Sequence, residues 1–152
     1  MSDARVNLPR VSVATVVARG DQLLFVEEES SDGLVLNQPA GHLEAGESLL
    51  QAALRETLEE SAWSVRLTHF VGIYQWRTPD GRDFVRMGFA AEPVAHHPER
   101  ALDTGIHRAL WLTPTQMRNE RARLRSPMVE CLVDDWLAGA RYPLTMARAI
   151  ST

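Results

Sequence analysis

Three carboxylates, Glu56, Glu59 and Glu60, stand three and four positions apart in a segment that opens at Ser48 and carries leucines at positions 50, 54 and 58. On a helix advancing about 100° per residue, the three acids share an arc of about 100°. Like charges at this spacing destabilise a helix by about 0.2–0.5 kcal/mol per pair. The cluster therefore works against local stability. A hard divalent cation that takes oxygen ligands would relieve the repulsion. The leucines predict an apolar stripe on the far side, so one face of the helix packs on a sheet while the acids face a cleft.

The remaining elements follow from period and turn chemistry. Val11–Ala18 and Gln22–Glu28 read as strands joined by a turn at Gly20-Asp21, and Val35–Asn37 reads as a short strand beyond a polar loop at Ser30–Gly33. Ser48, with Gln51 three residues on, matches a capping box. Ser64–Arg77 and Asp83–Glu92 form a strand pair around the turn Thr78-Pro79-Asp80-Gly81, and His107–Leu112 is a further strand. Pro114 opens a short helix and Pro127 a second one. The second helix carries Val129, Leu132, Val133, Trp136 and Leu137 at helical spacing, with Cys131 and Trp136 read as packing residues and Gly139 as a stop. Strands, helix, strands, helix in this order predict an α/β sandwich.

A chain of 152 residues accommodates one domain, with its core over about residues 8–140. A net charge of −4 disfavours broad binding to nucleic-acid polymers or acidic membranes. All 16 basic residues are arginine, a side chain suited to phosphate. Cys131 is the single cysteine, which excludes an intrachain disulfide and fits a reducing compartment. Met1–Arg10 has no apolar signal core, and no apolar run approaches the roughly 18 residues of a membrane span. The expected location is cytoplasmic, and the expected state a monomer or simple homodimer.

Gly41, Glu47, Arg55-Glu56 and Glu59-Glu60 together have the spacing of the Nudix box, and the chain resembles the Nudix hydrolase family. The segments Gln38–Glu44, Gln75-Trp76, Leu124–Pro127 and Arg141–Leu144 give a closer resemblance to the phosphatase NudJ subgroup. The resemblance implies a Nudix α/β/α sandwich with a mixed central sheet. It also implies Mg²⁺-dependent cleavage, with Mn²⁺ as the substitute ion, of nucleoside di- and triphosphates or thiamine-related pyrophosphates, with release of phosphate. Two other readings stand beside it: a Nudix pyrophosphohydrolase that releases a monophosphate, and a non-catalytic nucleotide-binding sensor. Thr57 and Ala62 depart from the family pattern, which has an aliphatic residue and a glycine there. The second departure predicts a helix end of different geometry, because a left-handed alanine costs about 1 kcal/mol or more.

Within this resemblance Glu59 and Glu60 are the principal metal ligands, with Glu56 beside them and the Ala40 carbonyl as an added ligand. Glu56 is the leading general base toward the attacking water. Glu92, Glu99 and Asp103 are candidates outside the box. Arg55 either contacts phosphate or orients Glu59, and the resemblance favours orientation. Glu47 anchors the loop through Arg55 or stands in the outer metal shell. Trp76 is open between stacking on a substrate ring and a half-buried strand position. Arg125 is assigned to substrate through its Leu-Arg-Ser-Pro segment, while Arg118, Arg121 and Arg123 read as a solvated face. Arg77, Arg82 and Arg86 read mainly as solvated strand charges, Glu27–Glu29 as strand-end charge, and His42 as a hydrogen-bonding residue or a proton donor. His96-His97 lacks a third ligand at metal spacing and reads as a polar loop.

Overall fold

The structure, a computed structural model, describes residues 8–151. The reading of the first seven residues lies outside these. Ten main elements follow in chain order: β1 (Arg10–Arg19), β2 (Gln22–Ser30), β3 (Gly33–Asn37), β4 (Ala40–His42), α1 (Leu49–Ser61), β5 (Trp63–Arg77), β6 (Asp83–His96), β7 (Ile106–Leu112), α2 (Pro114–Asn119) and α3 (Pro127–Leu137). Short 3₁₀ turns cover Arg121–Arg123 and Leu144–Met146. The expected strands and helices are present. The three-residue β4 and the extension of β6 to His96 had no clear local signal.

The sheet runs β3-β2-β1-β6-β5, with β4 paired to β1 and β7 to β2. It is mixed: β1 and β6 run parallel from Arg10↔Phe84 to Val17↔Ala91, and the other pairs are antiparallel. Alternation along β1 sends Val13 and Val17 to one face with Leu24, Phe89, Ala52 and Ala53. Ala14 and Val16 go to the other face, with Phe25, Met117, Val129 and Leu132. Thus α1 covers one face and α2 and α3 the other, which is the sandwich. Past residue 140, outside the expected core, the chain returns to the sheet. Tyr142 exchanges two backbone hydrogen bonds with Phe70 (2.8 and 2.9 Å), and Leu144 packs on the α1 side. No helix among the described residues is long and apolar enough to cross a membrane.

The packing of α1 corrects the leucine reading. Its buried residues are Ala52, Ala53, Thr57, Glu60 and Ser61, while Leu54 is 40% exposed. Small side chains let the helix axis approach the sheet closely, and that approach carries Glu56 and Glu60 inward. Of the three leucines, Leu50 packs at the edge of that core, Leu58 is half-buried and Leu54 points outward. Thr57 fits this close contact because its hydroxyl is satisfied: Oγ1 donates to the Ala53 carbonyl at 2.7 Å and lies 3.2 Å from Thr15 Oγ1. The helix end is also corrected. Ala62 takes the left-handed conformation itself, at φ 61° and ψ 21°. Its N–H donates to Leu58 at 2.9 Å, and its carbonyl accepts from the His97 N–H at 2.8 Å. These bonds, with its buried methyl, offset a backbone cost of about 1–2 kcal/mol.

In α3 the buried stripe is Met128, Val129, Leu132 and Val133, with Trp136 packed beside it. Leu137 is 46% exposed and Cys131 is exposed, so neither is a core residue.

Candidate active site

The capping box seen in the sequence starts α1: Gln51 N–H donates to Ser48 Oγ at 3.1 Å, and Ser48 N–H to Gln51 Oε1 at 2.8 Å. That start places Arg55 about two turns in, where its guanidinium becomes a hub. Nε and Nη2 donate to the two oxygens of Glu47, at 2.9 and 2.7 Å. Nη1 donates to Glu56 Oε1 at 2.8 Å and Glu59 Oε2 at 3.1 Å, and Nη2 also to the His42 carbonyl at 3.2 Å. Bidentate pairing to Glu47 fixes the plane of the fork and aims Nη1 at the other carboxylates. The fork thus reaches Glu59, the carboxylate named in the orienting reading. Glu47 also accepts from the Glu44 N–H at 2.8 Å, so it ties the loop before α1 to the helix. The Arg55 guanidinium holds the Glu47 carboxyl down to about 2.

Glu56 and Glu60 are held differently. Burial raises the Glu56 carboxyl above its usual range, opposed by Arg55. Burial pushes Glu60 up to about 8, opposed by the Ala40 N–H, which donates to Glu60 Oε1 at 2.8 Å. Glu60 is 7% exposed. Ala40 therefore meets the acidic helix through its amide. The reason for Gly41 is steric: a Cβ there would stand 2.1 Å from the Glu56 carboxyl carbon and 2.2 and 2.4 Å from its oxygens.

Carboxylate oxygens of Glu56, Glu59 and Asp103 lie within 4.8 Å of one another. Asp103 reaches α1 from the loop before β7, where its N–H donates to the Glu59 carbonyl at 3.0 Å. Of the three outside candidates it alone joins the box. Glu92 pairs with Arg66 on the outer β5–β6 ribbon, and Glu99 is exposed and not part of that cluster. Hard oxygen donors crowded in this way fit a divalent cation.

Beside these acids opens a cavity of about 1040 Å³. Glu56, Glu60, Gly41, Trp76, Phe84 and Arg125 are among the residues that line it. The loops at Ser30–Leu36 and Thr78–Asp83 both border it, whereas Ala95–Ile106 contributes Asp103 to the acids instead. The Trp76 ring lies 6.1 Å from Phe84 at an interplanar angle of 27°. Arg125 Nε is 3.7 Å from Glu28 Oε1, with its side chain half exposed to the cavity. Both side chains thus line the cavity. His42 lies at the rim, exposed.

Arg77 and Arg82 are surface residues paired with Asp83 and Asp80, but Arg86 is 5% exposed and lines the cavity. A strand between two partners buries what local sequence would leave in water. The same holds for Glu27 on β2, which is 7% exposed and paired with Arg108 and Arg123. Nor is the arginine run a freely solvated face: Arg118 and Arg121 pair with Asp134 and Glu130 of α3. His96 stacks on Trp63 at 4.8 Å and His97 bonds to Ser64 Oγ at 2.8 Å, so the His pair is structural.

The NUDIX domain matches residues 8–132. The chain is 39% identical over 138 residues to the Phosphatase NudJ of Escherichia coli K12, and equally to that of Shigella flexneri, covering 91% of this chain and 90% of the relative. A solved NUDIX hydrolase from Nitrosomonas europaea superposes with a TM-score of 0.91 at 41% identity, over 94% of this chain and 98% of that one. An Ap4A hydrolase from C. elegans, at 17% identity and a TM-score of 0.65 over 85% of this chain and 96% of that one, shares the fold.

Proposed function

We propose, for a chain that belongs to the Nudix hydrolase family and so acts on phosphorus-containing compounds, a divalent-metal-dependent phosphohydrolase that releases phosphate from nucleoside di- or triphosphates or thiamine-related pyrophosphates. The observation that carries the reading is the Arg55 hub, which presents Glu56 and Glu59, with Asp103, as one oxygen cluster at the end of a polar cavity. Glu56, Glu59, Glu60 and Asp103 would hold Mg²⁺ or Mn²⁺, which supplies charge neutralisation at the phosphates when bound. Glu56 accepts a proton from the water that attacks phosphorus, and its half-buried position suits a raised, usable basicity. Arg55 and Glu47 position that carboxylate, Trp76 stacks on the organic part of the substrate, and Arg125 meets its charge. The likeness to Phosphatase NudJ favours terminal phosphate as product over pyrophosphate.

The test is a panel of nucleoside di- and triphosphates, thiamine pyrophosphate and dinucleotides, with Mg²⁺ or Mn²⁺, assayed separately for phosphate and pyrophosphate. Phosphate release is the expected result. Pyrophosphate with a monophosphate would overturn the phosphatase reading, and no turnover on any substrate would leave the sensor reading.

Gly41→Ala is expected to lower kcat about 100-fold, because the added methyl displaces the Glu56 carboxylate by an ångström or more. Thermal unfolding should show a loss of about 1–3 kcal/mol from overpacking. Wild-type kcat in the folded variant would mean that the placement of Glu56 is not critical.

A further inference from the structure

The floor of the cavity carries a group that the hydrolytic chemistry above does not use. Arg86 sits within β6, paired across the sheet with Ser12 of β1 and Tyr74 of β5, and is 5% exposed. Nη1 donates to Asn37 Oδ1 and Gln38 Oε1, both at 3.3 Å. Both amides are themselves fixed: Asn37 Nδ2 donates to Glu28 Oε1 at 3.2 Å, and Gln38 Nε2 to the Val129 carbonyl at 2.7 Å. Arg86 Nε is buried with no hydrogen-bond partner.

The charges that face this guanidinium are Glu28, Glu60 and Arg125. None of the carboxylates forms an ion pair with it among the described residues. Glu28 is engaged by Asn37 and Arg125, and Glu60 by Ala40. Burial lowers the guanidinium to about 10, which leaves it cationic at neutral pH. Neutral amides orient a cation without cancelling its charge. A buried, unpaired cation is unfavourable to folding, and an apolar side chain would serve the sheet better. The arrangement becomes favourable when an anion enters the cavity, and a planar fork matches the oxygens of a phosphate.

We propose that Arg86 is an anion subsite at the cavity floor that takes non-bridging oxygens of the substrate's phosphoanhydride, so that di- and triphosphate esters are selected over monophosphates. The inference rests on reading this cavity as the phosphohydrolase site. Asn37 and Gln38 are the positioning residues of the subsite, and Arg125 is a second cation at its rim.

Inorganic pyrophosphate is titrated calorimetrically into the full chain in chelator, for wild type, Arg86→Gln, Arg86→Lys and Glu56→Gln. KM and kcat are then measured with Mg²⁺ on the best substrate of the panel. Arg86→Gln is expected to weaken pyrophosphate binding about 10- to 100-fold, as for a lost charge-assisted bond to phosphate, and to raise KM by a similar factor with a smaller fall in kcat. Arg86→Lys keeps the charge without the fork, should recover part of the affinity, and carries the test if the glutamine variant does not fold. Glu56→Gln should lose turnover and keep metal-free pyrophosphate binding.

Unchanged pyrophosphate affinity in a folded Arg86 variant, with a lowered melting temperature, would make Arg86 a structural counter-charge to Glu28 and Glu60 and overturn the proposal. A wild type that binds no pyrophosphate, with or without Mg²⁺, overturns it equally. Absence of turnover on every phosphoanhydride, with pyrophosphate bound by wild type and lost in Arg86→Gln, would overturn the hydrolase substrate reading and leave the subsite standing.

Discussion

Glu56→Gln is expected to lower kcat about a thousandfold, within the range of about 10²–10⁴ for a lost general base. The amide keeps an acceptor for Arg55 Nη1, now 2.8 Å from Glu56 Oε1, so the hub stays assembled. It also removes a charge that burial disfavours, so stability to urea should stay within about 1 kcal/mol of wild type. The loss is therefore one of chemistry. Metal affinity, followed by Mn²⁺ binding, should fall far less than kcat, because Glu59, Glu60 and Asp103 remain. Asp103→Asn is the control: its oxygen belongs to the same 4.8 Å cluster, and its effect on kcat should be smaller. A near-normal kcat for Glu56→Gln, with a collapse for Asp103→Asn, would move the base to the loop before β7.

Arg55→Met should be the most disruptive single change for stability and activity together. Arg55 binds Glu47, Glu56 and Glu59 at once, with 22% of its side chain exposed. Breaking a fully buried pair by removing one partner costs about 3–5 kcal/mol, and partial exposure brings the expectation here to about 2 kcal/mol. The orphaned carboxylates then repel one another, and kcat should fall by at least about 100-fold as their geometry relaxes. Mg²⁺ should restore part of the melting temperature, since a cation replaces the lost positive charge. Arg55→Lys discriminates between charge and shape. A point charge cannot make the bidentate contact with Glu47 while also reaching Glu56 and Glu59, so the lysine variant should recover stability better than activity. Full activity in Arg55→Lys would show that orientation by the fork is not needed.

Much of this site was readable along the chain because its parts are local. Glu47, Arg55, Glu56, Glu59 and Glu60 lie within one loop and one helix, and helical geometry alone brings the carboxylates together. The capping box at Ser48 was likewise local, and the structure forms both of its bonds. What local reading misplaced was burial. Leucines at 50, 54 and 58 looked like the packing face, yet the sheet receives Ala52, Ala53 and Thr57, with Leu50 only at the edge of that core. Hydrophobic periodicity marks which residues prefer burial. It does not say how closely two backbones must approach, and here the approach needs small side chains. Ala62 shows the same limit: the alanine predicted a different helix end, but contacts from Leu58 and His97 hold it in the conformation a glycine would take freely.

The order of charged residues from Glu47 to Glu60 thus marked the candidate site, because those five side chains lie on one helix and the loop before it. Tertiary structure decided the rest. It brought Asp103 to Glu59 through a backbone bond, buried Glu60 against Ala40, and set Arg86 in the cavity lining with its Nε unpartnered. These placements join residues about 20 to 50 positions apart in different elements, and no spacing along the chain encodes them. The carboxylates were written in sequence; how strongly each is buried, and what stands opposite, depends on which strands become neighbours.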